Sequence, residues 1–480
     1  MTTSPPDPSG RAAITEWLTL LLHERFSREI VLTKSAPGVI HVTCLGGKGQ
    51  ICIRSDDAMF TRASSDLPYT EWDADKEGWQ AALGSSLPAP GAASLPSPLI
   101  ETDAAGYTIH YDVLGLTYWM LSRQEEVGRC DLDSHGRFPA KASHAFEHDY
   151  LERPVVDEWL AILGQVMRRL WPELQLNLHE FSMKVSHDVD TPARYGFCDA
   201  TRLLRTMVGD IVRRRNPLQA LQAPGIWLGS KEKLHSRDPF NTFDWIMDAS
   251  EQSGLTSAFY FICGRTHPTR DALYDGTEAP IRELMRRIHG RGHEIGLHPS
   301  YNTWQNPHSI VSEARRLKDI CREEGIEQVV WGGRMHYLRW QTPITLHGWE
   351  QARMTYDSTL GYADRPGFRC GTCHEYPAFD PVARKTLKLR IRPLIAMDCT
   401  VMAPRFMNLG SGQAALEKFT RLKEACRSVN GSFTLLWHNT SLERQIDKAL
   451  YKSLLPQPQA DTPAQNFTTV TSGANIAIPI

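Results

Sequence analysis

"MKVSHDVDTP", residues 183–192, decides how the rest of the chain is read. Its opening residues suit a short strand, and His187, Asp188 and Asp190 then fall within four positions, where the strand must give way to a loop. Residues just past the carboxyl ends of parallel strands build the sites of barrels and open α/β sheets. Other strand-like runs end in the same way. His298 follows "HEIGL", Arg334 and His336 follow "QVVW", Asp398 follows "PLIAM", and His438 follows "TLLW". One polar residue at a strand end is more often a helix cap or a satisfied hydrogen-bonding group. Five strand ends with the same feature favour convergence on one rim.

The intervening segments read as helices. "TRLLRTMVGDIVRRR" carries Leu203, Leu204, Met207, Val208, Ile211 and Val212 on one face, and "TFDWIMDASEQSG" stops at Gly254. "APIRELMRRIHG" has Pro280 at its start and Gly290 at its end, and "SIVSEARRLKDICREEG" stops at Gly325. Strands alternating with helices of this length predict a parallel sheet, most economically a (β/α) barrel. Before it, a helix, the strand-like runs "GVIHVTC" and "GQICIRS", a Pro/Ser/Ala-rich linker "LGSSLPAPGAASLPSP" and two further helical patterns predict a smaller mixed α/β domain. The expected division is therefore an accessory domain over 1–175, a barrel over 176–452, and a mostly disordered tail over 453–480.

Composition narrows the function classes. The 480 residues carry 53 basic and 55 acidic side chains, a net charge of −2, so no global field points to nucleic acid. No run of eighteen apolar residues appears, and the opening "MTTSPPDPSGRAAITEWLTLLLHERF" lacks the basic start of a signal peptide, so a transmembrane segment is not expected and the cytoplasm is the expected compartment. The ten cysteines are scattered, and the single CxxC of Cys370 and Cys373 lacks the second pair of a zinc ribbon, which favours a structural role.

Two carboxylates at a strand-to-loop bend can do different work, one binding a metal and the other accepting a proton. A divalent metal held by a carboxylate and a histidine, with open positions, suits hydrolysis of an amide or ester. These residues resemble the polysaccharide deacetylases, carbohydrate esterase family four. "SHDVDTP" resembles that family's Asp-x-Asp element, "GHEIGLHPSYN" its GHEIGxHxxxH motif up to the last letter, "GGRMHYLRW" its arginine motif, and "TLLWHN" its final histidine motif; "AMDCT" offers the acidic residue. "YDSTLGYADRPGFRCGTC" and "LSRQEEVGRCDLDSHGRFPA" resemble a bacterial subgroup with an N-terminal domain of unknown role, linked to surface-polysaccharide biosynthesis.

The resemblance implies a distorted (β/α) barrel and a divalent metal, foremost Zn, with Co, Ni or Mn as alternatives. It makes Asp188 the general base, Asp190 and His298 metal ligands, His438 the general acid, Arg334 the group that orients Asp188, and Asp398 the group that orients His438. Asn302 stands where the family has its second histidine. An amide oxygen is the weaker zinc ligand, so Asn302 itself, His336 or His187 could complete the set, or the metal could be held poorly. Tyr301, Tyr337 and Trp340, with Trp304, lie near the motif loops and could stack on sugar rings or pack the rim.

The expected substrate is a nucleotide-linked or lipid-linked saccharide precursor, with peripheral membrane contact through Arg202, Arg205, Arg213, Arg214 and Arg215 as one reading and a solvated helix face as the other. The alternatives to a deacetylase are a saccharide-binding or assembly protein with a weakened metal site and a cyclic-amide hydrolase. The sequence leaves the oligomeric state open.

Overall fold

The computed structural model describes residues 8–457 except 37, 177 and 178. The chain opens with a helix, Pro8–Phe26, followed by strands β1 Ile30–Ala36, β2 Val39–Cys44, β3 Gln50–Arg54, β4 Tyr69–Asp73, β5 Ser86–Pro90, β6 Ile100–Thr102 and β7 Gly106–Ile109. Five of these form a sheet in the order β1-β2-β3-β7-β6, and β4 and β5 pair separately. The alternation in β2 turns Ile40, Val42 and Cys44 inward, which is the period-two pattern of a half-buried strand. Helices Val113–Leu121 and Val155–Leu170 close this part.

The second part contains β8 Ser182–Val189, β9 Ser257–Phe261, β10 Glu294–Leu297, β11 Gly332–Gly333, β12 Tyr356–Asp357, β13 Tyr376–Asp380, β14 Lys385–Ile391, β15 Ala396–Met397 and β16 Ser432–Leu436. They make one nine-stranded sheet ordered β13-β14-β12-β11-β10-β9-β8-β16-β15. Every neighbouring pair is parallel except β13 and β14. All five residues of β9 are buried, as expected where both faces of a parallel sheet are covered. The sheet and its helices match the α/β reading. Among the described residues no ladder joins β13 to β15, so the hydrogen-bonded strands form a row with two ends and do not close the expected distorted (β/α) barrel.

Several local expectations change. The Pro-rich "linker" contains β5, which pairs antiparallel with β4 from Tyr69↔Pro90 to Asp73↔Ser86. The helix at Ala200–Val212 buries Leu203 and Asp210 and leaves Leu204, Val208, Ile211 and Val212 in solvent. A second helix, Pro217–Gly229, and the β13–β14 hairpin were not anticipated. The helix Gln445–Leu454 runs past the expected end of the barrel at 452, and the tail expected to be disordered lies outside the described residues from 458 onward.

The boundary near 175 does not separate two cores. Trp17 packs against Phe379 with ring centroids 4.9 Å apart, and its indole N–H donates to the Pro377 carbonyl at 2.9 Å. The Tyr376 hydroxyl donates to the Leu121 carbonyl at 2.9 Å. One apolar cluster runs continuously from Ile14 to Leu455.

Candidate active site

Asp188 is the next-to-last residue of β8 and Asp190 is the first beyond it. Arg334 follows β11, which consists of two glycines for a steric reason. A Cβ on Gly332 would lie 1.8 Å from the Tyr356 ring, and one on Gly333 would lie 2.1 Å from the Leu297 carbonyl oxygen. The bare backbone lets β11 sit close to its neighbours and delivers Arg334 to the centre of the sheet. There the guanidinium, fully buried, donates to Asp188 Oδ1 at 2.8 Å, to Ser186 Oγ at 2.9 Å and to the Ser358 carbonyl at 2.9 Å. Both partners of this ion pair are shielded from water, so the pair is rigid and its charge is internally compensated. The second oxygen, Asp188 Oδ2, stands 3.7 Å from His298 Nε2.

Three acceptor atoms meet beside it. His298 Nδ1 is 2.6 Å from the Arg334 carbonyl oxygen, which can only accept, so Nδ1 carries a proton and the neutral ring presents a lone pair at Nε2; burial favours that neutral ring, while Asp188 and Asp190 outweigh it and raise His298. His336 Nδ1 lies 3.1 Å from Asp271 Oδ1 and is held in the same tautomer. The two Nε2 atoms approach Asp190 Oδ1 at 3.2 and 3.5 Å. Asp190 Oδ1 is buried and has no hydrogen-bond partner among the described residues. With both rings neutral these three acceptors face one another and fit a cation, and two imidazoles with a carboxylate are a zinc-type donor set. Burial favours the neutral form of Asp190, but His336, His298 and His438 outweigh it and hold the carboxylate well below its ordinary range.

The His336 loop is strained. Tyr337 and Leu338, the next two residues, both adopt left-handed backbone angles, with φ of 63° and 55°. Non-glycine residues tolerate this when surrounding contacts demand it, often at sites. Here the Tyr337 carbonyl is held by Arg137 at 2.9 Å.

On the far side, His438 follows β16. Its Nδ1 is 2.7 Å from Asp398 Oδ1, and its Nε2 points into the cleft, 3.7 Å from Asp190 Oδ2. Burial disfavours the charged ring, but the carboxylates of Asp398, Asp190 and Asp188 overcome that penalty and raise His438 to about 10. The same pairing lowers Asp398 against the cost of its burial.

The other sequence candidates separate. Asn302 is exposed; its amide donates to the Thr266 carbonyl at 3.0 Å and its Oδ1 accepts from Arg339 at 3.3 Å, so it stands outside the acceptor trio. His187 is directed into the core, with Nδ1 2.6 Å from the Trp437 carbonyl and Nε2 3.2 Å from Ser257 Oγ. Tyr337 lines the cleft. Tyr301 and Trp340 do not: Tyr301 is buried beneath Arg339, and Trp340 is buried near Arg369.

Three residues escaped the sequence reading. Asp271 orients His336, and Arg137 and Arg270 line the cleft. Asp271 lies ten residues beyond the end of β9, too deep in the loop for the strand-end rule to reach it. Arg137 comes from the N-terminal part, inside "LSRQEEVGRCDLDSHGRFPA", a stretch that pointed to a subgroup and not to the site.

Residues 13–172 match the model of a family of unknown function, DUF7033. No curated protein matches the chain. Among solved structures, a Mycobacterium smegmatis protein assigned as a polysaccharide deacetylase overlaps at TM-score 0.36 and 17% identity, covering 58% of this chain and 83% of that one. PuuE allantoinase overlaps at 0.33 and 13%, covering 57% and 82%. A Pseudomonas aeruginosa PAO1 protein, also assigned as a polysaccharide deacetylase, overlaps at 0.33 and 14%, covering 57% and 83%. Overlap this slight fixes no activity.

Proposed function

We propose that the chain is a metal-dependent hydrolase that removes an N-acetyl or related acyl group from a saccharide or saccharide precursor, in surface-polysaccharide biosynthesis. The observation that carries the reading is the convergence of Asp190 Oδ1, His298 Nε2 and His336 Nε2, which are three acceptors when both rings are neutral. Asp190, His298 and His336 are the residues that would hold the ion, with zinc first and Co, Ni or Mn as alternatives. A bound divalent ion supplies Lewis-acid polarisation of the acyl oxygen.

The chain's own residues provide the proton transfers. Asp188, fixed through Oδ1 by Arg334, keeps Oδ2 toward the cleft and accepts the proton of the attacking water. His438, charged and aimed by Asp398, gives the Nε2 proton to the departing nitrogen as the C–N bond breaks. The cleft volume of about 310 Å³, walled by Tyr337, Arg270 and Arg137, suits one sugar unit rather than an engulfed polymer. In this reading residues 176–452 carry the chemistry and residues 1–175 contribute the Arg137 wall.

The test pairs metal analysis of the purified protein with acetate release from N-acetylated saccharides. We expect bound divalent metal that is lost in Asp190→Ala and His336→Ala, kept in Asn302→Ala, and required for acetate release. Metal content indifferent to Asp190→Ala and His336→Ala, with no acetate from metal-loaded protein, would sink the reading. Ammonia or a ring-opened product would replace the deacetylase with a cyclic-amide hydrolase.

A further inference from the structure

The helices Ala200–Val212 and Pro217–Gly229 leave most of their large apolar side chains in solvent. The first turns Asp210 inward, where its carboxylate accepts from the Tyr195 hydroxyl at 2.7 Å and pairs with Arg194. With the polar anchor buried, the apolar stripe of Leu204, Val208, Ile211 and Val212 faces solvent at the i, i+4, i+7, i+8 spacing of one helical face. The second helix has no charged residue, buries Ala220, Ala223 and Ile226, and leaves Leu218 71% and Leu221 76% exposed, with Leu228 beside them. The pair shares a small apolar cluster with Tyr195, separate from the main core. A hydrophobic face of this extent, left uncovered, marks a contact surface.

Its charge says what the contact is. Between 200 and 229 the sole acid is the buried Asp210, against five arginines. Arg214 pairs with Glu443, whereas Arg202, Arg205, Arg213 and Arg215 are exposed and have no carboxylate partner among the described residues. Arg202 and Arg213 stand on the side opposite Leu204, Val208 and Ile211, which is the basic amphipathic pattern of a helix lying in a membrane interface. An anionic bilayer accommodates both features, since apolar side chains enter the acyl boundary while arginines meet phosphates. No helix among the described residues is long and apolar enough to cross a membrane, so contact would be interfacial.

We infer that the 200–229 hairpin is an interfacial docking surface for an anionic lipid bilayer. Arg202 lines both the arginine groove of the hairpin and the candidate cleft, which puts the cleft mouth on the arginine side of the hairpin. The inference stands on this surface and not on the hydrolytic reading. Combined with that reading, it favours a lipid-linked over a nucleotide-linked substrate.

Vesicle sedimentation of the full chain tests it without any activity readout, using phosphatidylcholine vesicles with and without phosphatidylglycerol. Binding is expected only to the phosphatidylglycerol vesicles, weakening as salt rises. Leu218→Glu/Leu221→Glu and, separately, Arg205→Gln/Arg213→Gln should each lower the partition coefficient roughly tenfold. Both pairs are exposed, so unchanged thermal midpoints would show that the variants fold. The idea is overturned by absence of binding to phosphatidylglycerol vesicles, by equal binding to both compositions, or by a dimer in sedimentation velocity that Leu218→Glu/Leu221→Glu abolishes.

Discussion

Asp271 sets which nitrogen His336 turns toward Asp190, and through that the proposed cation site. Its carboxylate also accepts the backbone N–H groups of Tyr301 and His267, both at 2.7 Å, so it ties the loops after β9 and β10 together. Asp271→Asn should weaken metal affinity about 10- to 100-fold, whereas Asn302→Ala should leave it unchanged; chelator competition on the purified variants measures both. Asp398→Asn belongs to the other half of the site. It removes the carboxylate that stabilises the His438 imidazolium, and should lower kcat about 10²- to 10⁴-fold at unchanged metal content, seen by steady-state assay beside metal analysis. The residues of the proposed site were mostly legible because each strand end announces itself locally. The partner of a histidine was not, because Asp271 and His336 are 65 positions apart and meet only through the sheet. Asn302 drew attention because of its place in a motif, and spacing alone cannot reveal that its amide is already committed to Thr266 and Arg339.

At the level of elements, legibility follows how much of an element's stability is local. Ala279–Gly290 could be read from its bounding proline and glycine and its apolar spacing, and it buries Ile281, Leu284, Met285 and Ile288 as that spacing requires. β11, β12 and β15 have two residues each. No pattern fits in two residues; their pairing is imposed by neighbours. The 200–212 helix has a clear period, yet the face that period marks is mostly exposed, because burying Asp210 against Arg194 and Tyr195 reverses it. The helix Val113–Leu121 shows how a buried cap couples to pH. Its N-cap, Asp112, accepts the N–H groups of Gly115 and Asp56 at 2.6 Å each. Burial pushes its carboxyl up to about 7, with the charges of Asp56 and Asp57 adding to the rise and those two hydrogen bonds opposing it. An unfolded aspartate titrates near ~4. Between those values the folded chain binds the extra proton, so this contribution is fully present below about pH 4 and is lost as pH rises through about 7. The urea midpoint of the wild type should therefore fall more steeply from pH 5 to pH 8 than that of Asp112→Asn. Parallel slopes would show that Asp112 is ionised throughout.

Across the molecule, the two parts expected to be separate domains are joined by a buried charge cluster as well as by a shared core. Arg369, from the loop before β13, donates to both oxygens of Glu126, at 2.9 and 2.6 Å, and Arg123 donates to Glu126 and Glu125 at 2.9 Å each. All four side chains are buried. Burial opposes charge on Glu126, but Arg369 and Arg123 together hold its carboxyl below the usual range. Two arginines facing two glutamates compensate one another, so the cluster is stable only while complete. Removing one member leaves an uncompensated buried charge, whose cost is about 3–5 kcal/mol. Glu126→Ala should accordingly lower the urea-derived stability by about that amount, and should do so in a single transition that moves the fluorescence of both parts together, because Trp17 and Phe379 share one packed core. The same geometry predicts that residues 176–457 produced alone will not fold to a soluble, cooperatively melting species, since Phe379, Tyr376 and Arg369 would lose Trp17, Leu121 and Glu126 at once. A sharp melting transition from that fragment, or two separated transitions in the whole chain, would show that the N-terminal part is a dispensable appendage. A single transition, lowered by Glu126→Ala, makes residues 1–175 part of the scaffold that holds the Arg137 wall against the cleft.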